Sequence, residues 1–384
     1  MNFSSSTVQP KSNSRTQNSE FSLREARMKL HIDRRSLLQG GSAFALAALL
    51  PGCATPGSRG PGQSPYPTLI TDIPRSDYAF ATTCDEVAAG YNLAGKTVLI
   101  TGCNSGLGYE SLRTLVARGA HVIGTARTLA KAEDACASVM NADSRGKATP
   151  LVCELTNMDS VVACADDVNR LLDDSNKPLD ILMCNAGIMA LPKLEQVDVN
   201  GVLLEKQFVV NHLGHYLLTR RVLPQVQAAR AGRIVMISST GYTLAPKGGV
   251  LFDNLSYAEG YKPFSAYGQS KLSNILFSNE ISRRYQDQAL TSNAIHPGMV
   301  ATNLGRYISG KPRDPDAPLR KGFKTADQGA ATQVYAAIDD RLAGVSGYYF
   351  EDCNPVLMKG ENPNSPALAA ELWDVSEDLV SPYL

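Results

Sequence analysis

The chain has 384 residues, 43% of them apolar, and its 37 Lys+Arg balance 37 Asp+Glu for a formal net charge of +0. That length supports a sizeable core, and a neutral surface excludes nucleic acid and other acidic polymers as partners, because those demand a basic face. The eight cysteines are scattered and form no C-x-x-C pair, which excludes a disulfide framework or cysteine-based zinc site and points to a reducing compartment.

Residues 1–27 are rich in Ser, Asn, Gln and Thr, and are expected to be a disordered extension. Residues 28–53 read as an export address. Arg34-Arg35 precede Leu37-Leu38 and the apolar run Ala43–Leu50, which is too short to span a bilayer but suits a signal core. The arginine pair resembles a twin-arginine signal. Leu50-Pro51-Gly52-Cys53 resembles a lipoprotein cleavage site, so the expectation is export and membrane anchoring through lipidated Cys53, with a cytoplasmic protein as the alternative. Residues 54–76, rich in Pro, Gly and Ser, read as a tether, and residues 77–384 as the catalytic body.

The body opens with "KTVLITGCNSGLGYESLRTLVARGAHVIGTAR". Thr97–Thr101 is a short apolar, β-branched run of the kind buried on both faces of a sheet. A glycine loop follows, containing Gly102, Asn104, Ser105, Gly106, Leu107 and Gly108. A helix with Leu112, Leu115 and Val116 on one side comes next, then a second strand from His121. Such a βαβ unit lets backbone approach a pyrophosphate and offers it a helix N-terminus. Where NAD-binding folds place an acidic residue on the ribose, this chain has Arg127, with Lys131 a helical turn on, so a 2′-phosphate and hence NADP(H) is favoured. "PLVCEL" reads as a third strand that brings Glu154 and the backbone of Leu155 to the expected adenine position.

"DILMCNAGIMA" reads as a buried strand ending in Asn185-Ala186-Gly187, and "GRIVMISST" as one delivering Ser238 and Ser239 at the edge where α/β sheets bind ligands. Tyr267 and Lys271 lie four apart on one helix face. "NAIHPGMVATNL" supplies a sixth strand and a turn, and Tyr348-Tyr349-Phe350 a buried last strand. A carbonyl accepting a hydride needs a proton, and free tyrosine at about pKa 10 is a poor base for the reverse step. An ammonium one turn away, together with a cationic nicotinamide ring, favours tyrosinate, while a serine hydroxyl stabilises the substrate oxygen. The His212/His215 pair has H-x-x-H spacing but no nearby third ligand, so no metal is expected.

"TGCNSGLG", "CNAG", "NHLGHYLLT", "ISS", "YGQSK" and "HPGMVAT" together resemble the short-chain dehydrogenase/reductase family. "NHLGH", "GYYFEDC" and "ELWDVS" resemble its branch with retinol dehydrogenases, WW-domain oxidoreductase and protochlorophyllide reductase. The resemblance implies one doubly wound Rossmann α/β domain with a mainly parallel sheet. It implies Tyr267 as proton donor and acceptor, Lys271 as the residue that lowers its pKa and binds the nicotinamide ribose, and Ser239, with Ser238 left open, as the substrate-orienting serine. It further implies Asn211 as support for a water relay behind the lysine, and Pro297, Gly298, Val300 and Thr302 as the nicotinamide lining. Glu154 stands where the family has Asp, and Cys184 where it has Asn. A homodimer is the family expectation, against a monomer for a lipid-anchored member.

The segment between Ser239 and Tyr267 and the loop Asn303 to Lys324 are expected to overhang the nicotinamide and choose the substrate. Phe252, Leu255, Tyr257, Tyr261 and Phe264 suggest an apolar pocket, some of them packing internally, and hence a small hydrophobic carbonyl or alcohol. The competing reading is an NADP-binding sensor or scaffold without turnover.

Overall fold

Five consecutive buried residues, Thr97–Thr101, make strand β1, and their alternation explains the layers around it. Leu99 joins one hydrophobic cluster, while Val98 and Ile100 join another on the opposite face, as the period of two along a strand requires. The computed structural model describes residues 73–141, 144–311, 313, 314 and 317–384, all within the unit Arg59–Leu384. The expected extension, the export address with Cys53, and the tether up to residue 72 lie outside the described residues. Ile73 and Ser76 pack on the body just ahead of the boundary expected at Asp77. Ser76 Oγ donates to the Cys353 carbonyl at 2.8 Å.

The other strands are β2 (His121–Ala126), β3 (Lys147–Val152), β4 (Ile181–Cys184), β5 (Gln196–Val199), β6 (Val202–Glu205), β7 (Gly232–Ile237), β8 (Leu290–His296), β9 (Tyr349–Glu351) and β10 (Asn354–Pro355). The main sheet has the order β10-β9-β8-β7-β4-β1-β2-β3, parallel except for the terminal β10. β3 begins and ends earlier than "PLVCEL" suggests. It forms the sheet edge, where Pro150 can sit without an N–H to donate.

Helices α1 (Gly106–Ala117), α2 (Leu129–Val139) and α6 (Ala326–Ile338) contribute to the cluster with Val98. The opposite cluster with Leu99 takes α3 (Met158–Ser175), α4 (Gly214–Gln227), α5 (Pro263–Arg284) and α7 (Pro366–Val380). This is the expected doubly wound α/β architecture. β5 and β6 form a separate antiparallel hairpin, turning at Asn200-Gly201 with both residues at positive φ. Asn-Gly between two alternating runs is the local signal for this hairpin. Among the described residues, no helix is long and apolar enough to cross a membrane.

α7 is fastened to α4 and α5 by the chain's single tryptophan. The Trp373 ring lies 5.3 Å from Tyr216 and 5.6 Å from Phe277, with the Arg284 guanidinium 4.4 Å from its centroid. Trp373→Ala is expected to destabilise the fold by about 3–5 kcal/mol. Chemical denaturation followed by circular dichroism checks this; an unchanged midpoint would show that α7 does not hold the domain.

Candidate active site

The parallel strands finish at one edge, and each passes its residues to the loop that follows. After β1, Ser105 caps α1 without a side-chain bond, so the N–H groups that a helix start leaves without internal partners are not taken up by the cap. Gly106 has φ +58, in the left-handed region. A Cβ on Gly108 would stand 2.2 Å from the Gly102 carbonyl oxygen and 2.4 Å from Asn185 Nδ2, so only glycine lets α1 approach so closely. A cleft of about 430 Å³ adjoins Ser105 and Gly106, bordered by Thr302, Asn303 and Arg313. A cradle this bare, at the start of a 12-residue helix, fits a dinucleotide pyrophosphate. A second opening, of about 500 Å³ beside Tyr242, Lys247 and Lys359, involves none of the expected site residues.

Arg127 and Lys131 follow β2; both are exposed, and neither side chain forms an ion pair or hydrogen bond among the described residues. The register Ala126↔Val152 sets Glu154 and Leu155 at the same edge. The Glu154 carboxylate turns onto its own loop, accepting from Thr156 N at 3.1 Å and Thr156 Oγ1 at 2.9 Å, and the Leu155 side chain is core.

After β4, Thr101 Oγ1 accepts from the N–H groups of Asn185 (2.9 Å) and Ala186 (3.0 Å). Asn185 Nδ2 donates to the Thr101 carbonyl at 2.8 Å. A Cβ on Gly187 would lie 3.2 Å from Asn211 Oδ1 and 3.5 Å from Lys271 Nζ, so three separate segments converge there. Asn211 sits in a π-turn, Val209–Leu213. Its Oδ1 accepts from Ile188 N at 2.8 Å, and its Nδ2 donates to the Ile188 carbonyl at 2.9 Å and to Ser270 Oγ at 2.8 Å.

The two serines that the sequence left open separate in space. Ser238 Oγ donates to the Lys271 carbonyl at 2.8 Å and is buried. Ser239 Oγ accepts from Gly241 N at 3.0 Å. Gly241 lets the turn press on the ring, since a Cβ there would lie 2.8 Å from Tyr267 Cε1 and 3.3 Å from Ser239 Oγ, which sets Ser239 beside Tyr267. Lys271 Nζ donates to the Ile237 carbonyl at 2.9 Å and lies 5.8 Å from the Tyr267 ring centroid.

Pro297 and Gly298 follow β8. Val300 bridges to Lys324, whose buried Nζ reaches Asp352 Oδ1 at 2.6 Å, and Thr302 faces Gly106. The pair of buried Lys324 and half-buried Asp352, which braces the Pro297–Thr302 segment, carries no spacing signal in the sequence. His212 Nε2 pairs with Ser376 Oγ and His215 Nε2 with Thr101 Oγ1, so the rings of H-x-x-H serve different neighbours. Among the described residues, no group of three or more His, Cys, Asp or Glu could hold a metal.

Burial pushes the Tyr267 hydroxyl up to about 12, with Ser239 pulling the other way. Burial also pushes Lys271 down to about 8. The apolar set between Ser239 and Tyr267 also divides. Leu255 and Tyr257 are core, Phe252 packs on it, and Tyr261 donates to the Leu191 carbonyl at 2.8 Å, leaving Phe264 exposed.

The family profile for short chain dehydrogenase matches residues 96–312. The chain is 36% identical over 313 residues to the short-chain dehydrogenase TIC 32 B, chloroplastic, of Brassica napus, covering 80% of this chain and 95% of that one. It is 37% identical over 311 residues to human retinol dehydrogenase 14, covering 74% and 86% respectively. A crystal structure of an uncharacterised Mycobacterium paratuberculosis protein superposes with TM-score 0.60 at 30% identity, covering 77% of this chain and 97% of that one. A Beutenbergia cavernae protein described as an NAD(P)-dependent gluconate 5-dehydrogenase, with NADP bound at low occupancy, shares the fold with TM-score 0.51 at 22% identity, covering 68% and 96%.

The depressed Lys271 carries a sign. At pH 7 the native state buries a charge that the unfolded chain leaves in water, and this cost is relieved as pH rises from about 8 to the ordinary lysine value of 10.5. Lys271→Met is therefore expected to melt above the wild type at pH 7, with the gap narrowing through that window. Melting temperatures across the pH range check this; a variant less stable at every pH would refute it.

Proposed function

The chain belongs to the short-chain dehydrogenase family, and on that footing we propose that it transfers a hydride between NADP(H) and a small hydrophobic carbonyl or alcohol, with Tyr267 as proton donor and acceptor. The observation that carries this reading is the gathering of Ser239 and Tyr267 about Gly241, with Lys271 5.8 Å from the Tyr267 ring and beside Gly187, at the sheet edge that also holds the glycine cradle. NADP(H), when bound, supplies or accepts the hydride. Ser239 offers its hydroxyl to the substrate oxygen, and Tyr267 gives that oxygen a proton as negative charge develops on it. Lys271 is the cation that stabilises the tyrosinate left behind. Ser238 is engaged with the Lys271 carbonyl, which favours Ser239 for this role. Asn211 holds the π-turn against Ile188.

NADP(H) over NAD(H) is supported by two exposed cations, Arg127 and Lys131, whose side chains have no partner among the described residues, with Arg127 standing directly after β2 in place of a carboxylate. A hydrophobic substrate is supported by exposed Leu244, Phe264, Met299 and Ile308, which lie on the segments flanking Ser239, Tyr267 and Pro297. Residues 28–53 are read as an export address ending at Cys53. Host-cell fractionation with the mass of the mature N-terminus tests that reading: membrane-bound protein beginning at Cys53 supports it, and soluble full-length protein overturns it.

Turnover of lipophilic aldehydes with NADPH by the purified protein tests the activity. Tyr267→Phe is expected to lose about a hundred- to ten-thousandfold in kcat with NADPH binding retained. Arg127→Ala is expected to weaken NADPH about ten- to a hundredfold while leaving NADH nearly unchanged. A wild type that binds NADPH but reduces no carbonyl would identify the sensor or scaffold instead.

A further inference from the structure

The H-x-x-H pair is absorbed neither by a metal nor by the proposed chemistry, yet both histidines are fully buried. His215 stands at a junction. Its Nε2 lies 2.8 Å from Thr101 Oγ1, and its Nδ1 lies 3.0 Å from the Asn211 carbonyl oxygen. The direction of every hydrogen bond along this path follows from donor and acceptor capacity alone. Thr101 Oγ1 already accepts two backbone N–H groups, from Asn185 and Ala186, which fill both of its lone pairs. Its single hydrogen therefore goes to His215 Nε2, which must be the bare acceptor. A neutral ring then carries its proton on Nδ1, and the Asn211 carbonyl can only accept. Both ends of the path require the same tautomer.

The path closes a ring. Asn211 is bound to the turn after β4 directly, through both of its amide atoms on Ile188, and a second time through its carbonyl, His215, Thr101 and the N–H groups of Asn185 and Ala186. From Asn211, Nδ2 continues to Ser270 Oγ, which donates to the Tyr267 carbonyl at 2.7 Å. Thr101 immediately precedes Gly102, whose carbonyl faces Gly108. The ring thus joins the glycine cradle to the helix bearing Tyr267 and Lys271.

We propose that His215 is a positioning residue that locks the π-turn carrying Asn211 to the ends of β1 and β4, so that a dinucleotide in the glycine cradle also orders the side chains that handle the proton. The proposal rests on the reading that the cradle takes NADP(H). Burial supports it by pushing His215 down to about 4, aided by Lys271 and opposed by the bond to Asn211, so the ring stays neutral across the working pH range. Charging it would set an N–H against the Thr101 hydroxyl, which has no lone pair left.

The test is amide hydrogen exchange of the full chain with and without NADPH, paired with turnover, for the wild type, His215→Phe, His215→Asn and Thr101→Val. In the wild type, NADPH is expected to slow exchange both in residues 102–110 and in residues 208–216. In His215→Phe, protection of 102–110 persists, protection of 208–216 is lost, and kcat falls about tenfold or more with the KM for NADPH little moved. His215→Asn, whose amide can still donate to the Asn211 carbonyl, recovers part of both. Thr101→Val, which breaks the path at its other end, repeats the loss at 208–216 should His215→Phe fail to fold. Coupled protection that survives in His215→Phe or Thr101→Val overturns the proposal alone, as does His215→Asn behaving no better than His215→Phe. Absence of NADPH protection at 102–110 in the wild type overturns the nucleotide reading, and the proposal with it.

Discussion

At the start of α1 the helix backbone at Gly108 presses on the carbonyl of Gly102 with no room for a side chain between them. The same carbonyl lies 3.2 Å from Asn185 Nδ2, so the end of β1, the start of α1 and the turn after β4 are gathered at one point. A Cβ there would force these segments apart. The open first turn of α1, the Thr101 hydroxyl beneath the Asn185-Ala186 turn, and the position of Gly187 between Asn211 and Lys271 all depend on that contact being short.

Around this point the site is assembled from groups whose charged forms burial opposes. Lys271 rests on the Ile237 carbonyl, which Asn274 Nδ2 shares at 3.0 Å, and His215 is held neutral between an alcohol and a carbonyl. Enclosure pushes the Tyr267 hydroxyl up, which suits the donor role proposed for it. Buried polar networks of this sort are rigid, and a lost partner leaves an unpaired group in a low dielectric. The π-turn at Asn211 is where that rigidity is concentrated, since its side chain and its carbonyl are tied to the same neighbouring turn by different routes.

Much of the fold was legible because its signals are local. Thr97–Thr101, the glycine loop and the periodic apolar face of α1 are read from neighbours in the chain, and the strand–loop–helix order gives the loop its meaning. The Tyr267/Lys271 spacing is likewise a property of one helix. Other features were less accessible for identifiable reasons. The hairpin of β5 and β6 announces itself through Asn200-Gly201 but interrupts the expected alternation of strands and helices. Leu255 and Tyr257 read as pocket candidates because an apolar residue in a loop has the same letter whether it faces a cleft or the core. Glu154 sits at the expected strand end, yet its carboxylate is drawn to Thr156, two residues away.

The parallel α/β layering, the glycine loop, the basic residue after β2 and the order of Asn211, Ser239, Tyr267 and Lys271 are readable from the chain alone, since periodicity, turn chemistry and helical spacing are short-range properties. Which of Ser238 and Ser239 lies beside Tyr267, which tautomer His215 adopts, and how strongly burial shifts Tyr267 and Lys271 emerge in the folded chain alone. Each of those depends on distances between segments remote in the chain, and on how much water packing removes from between them.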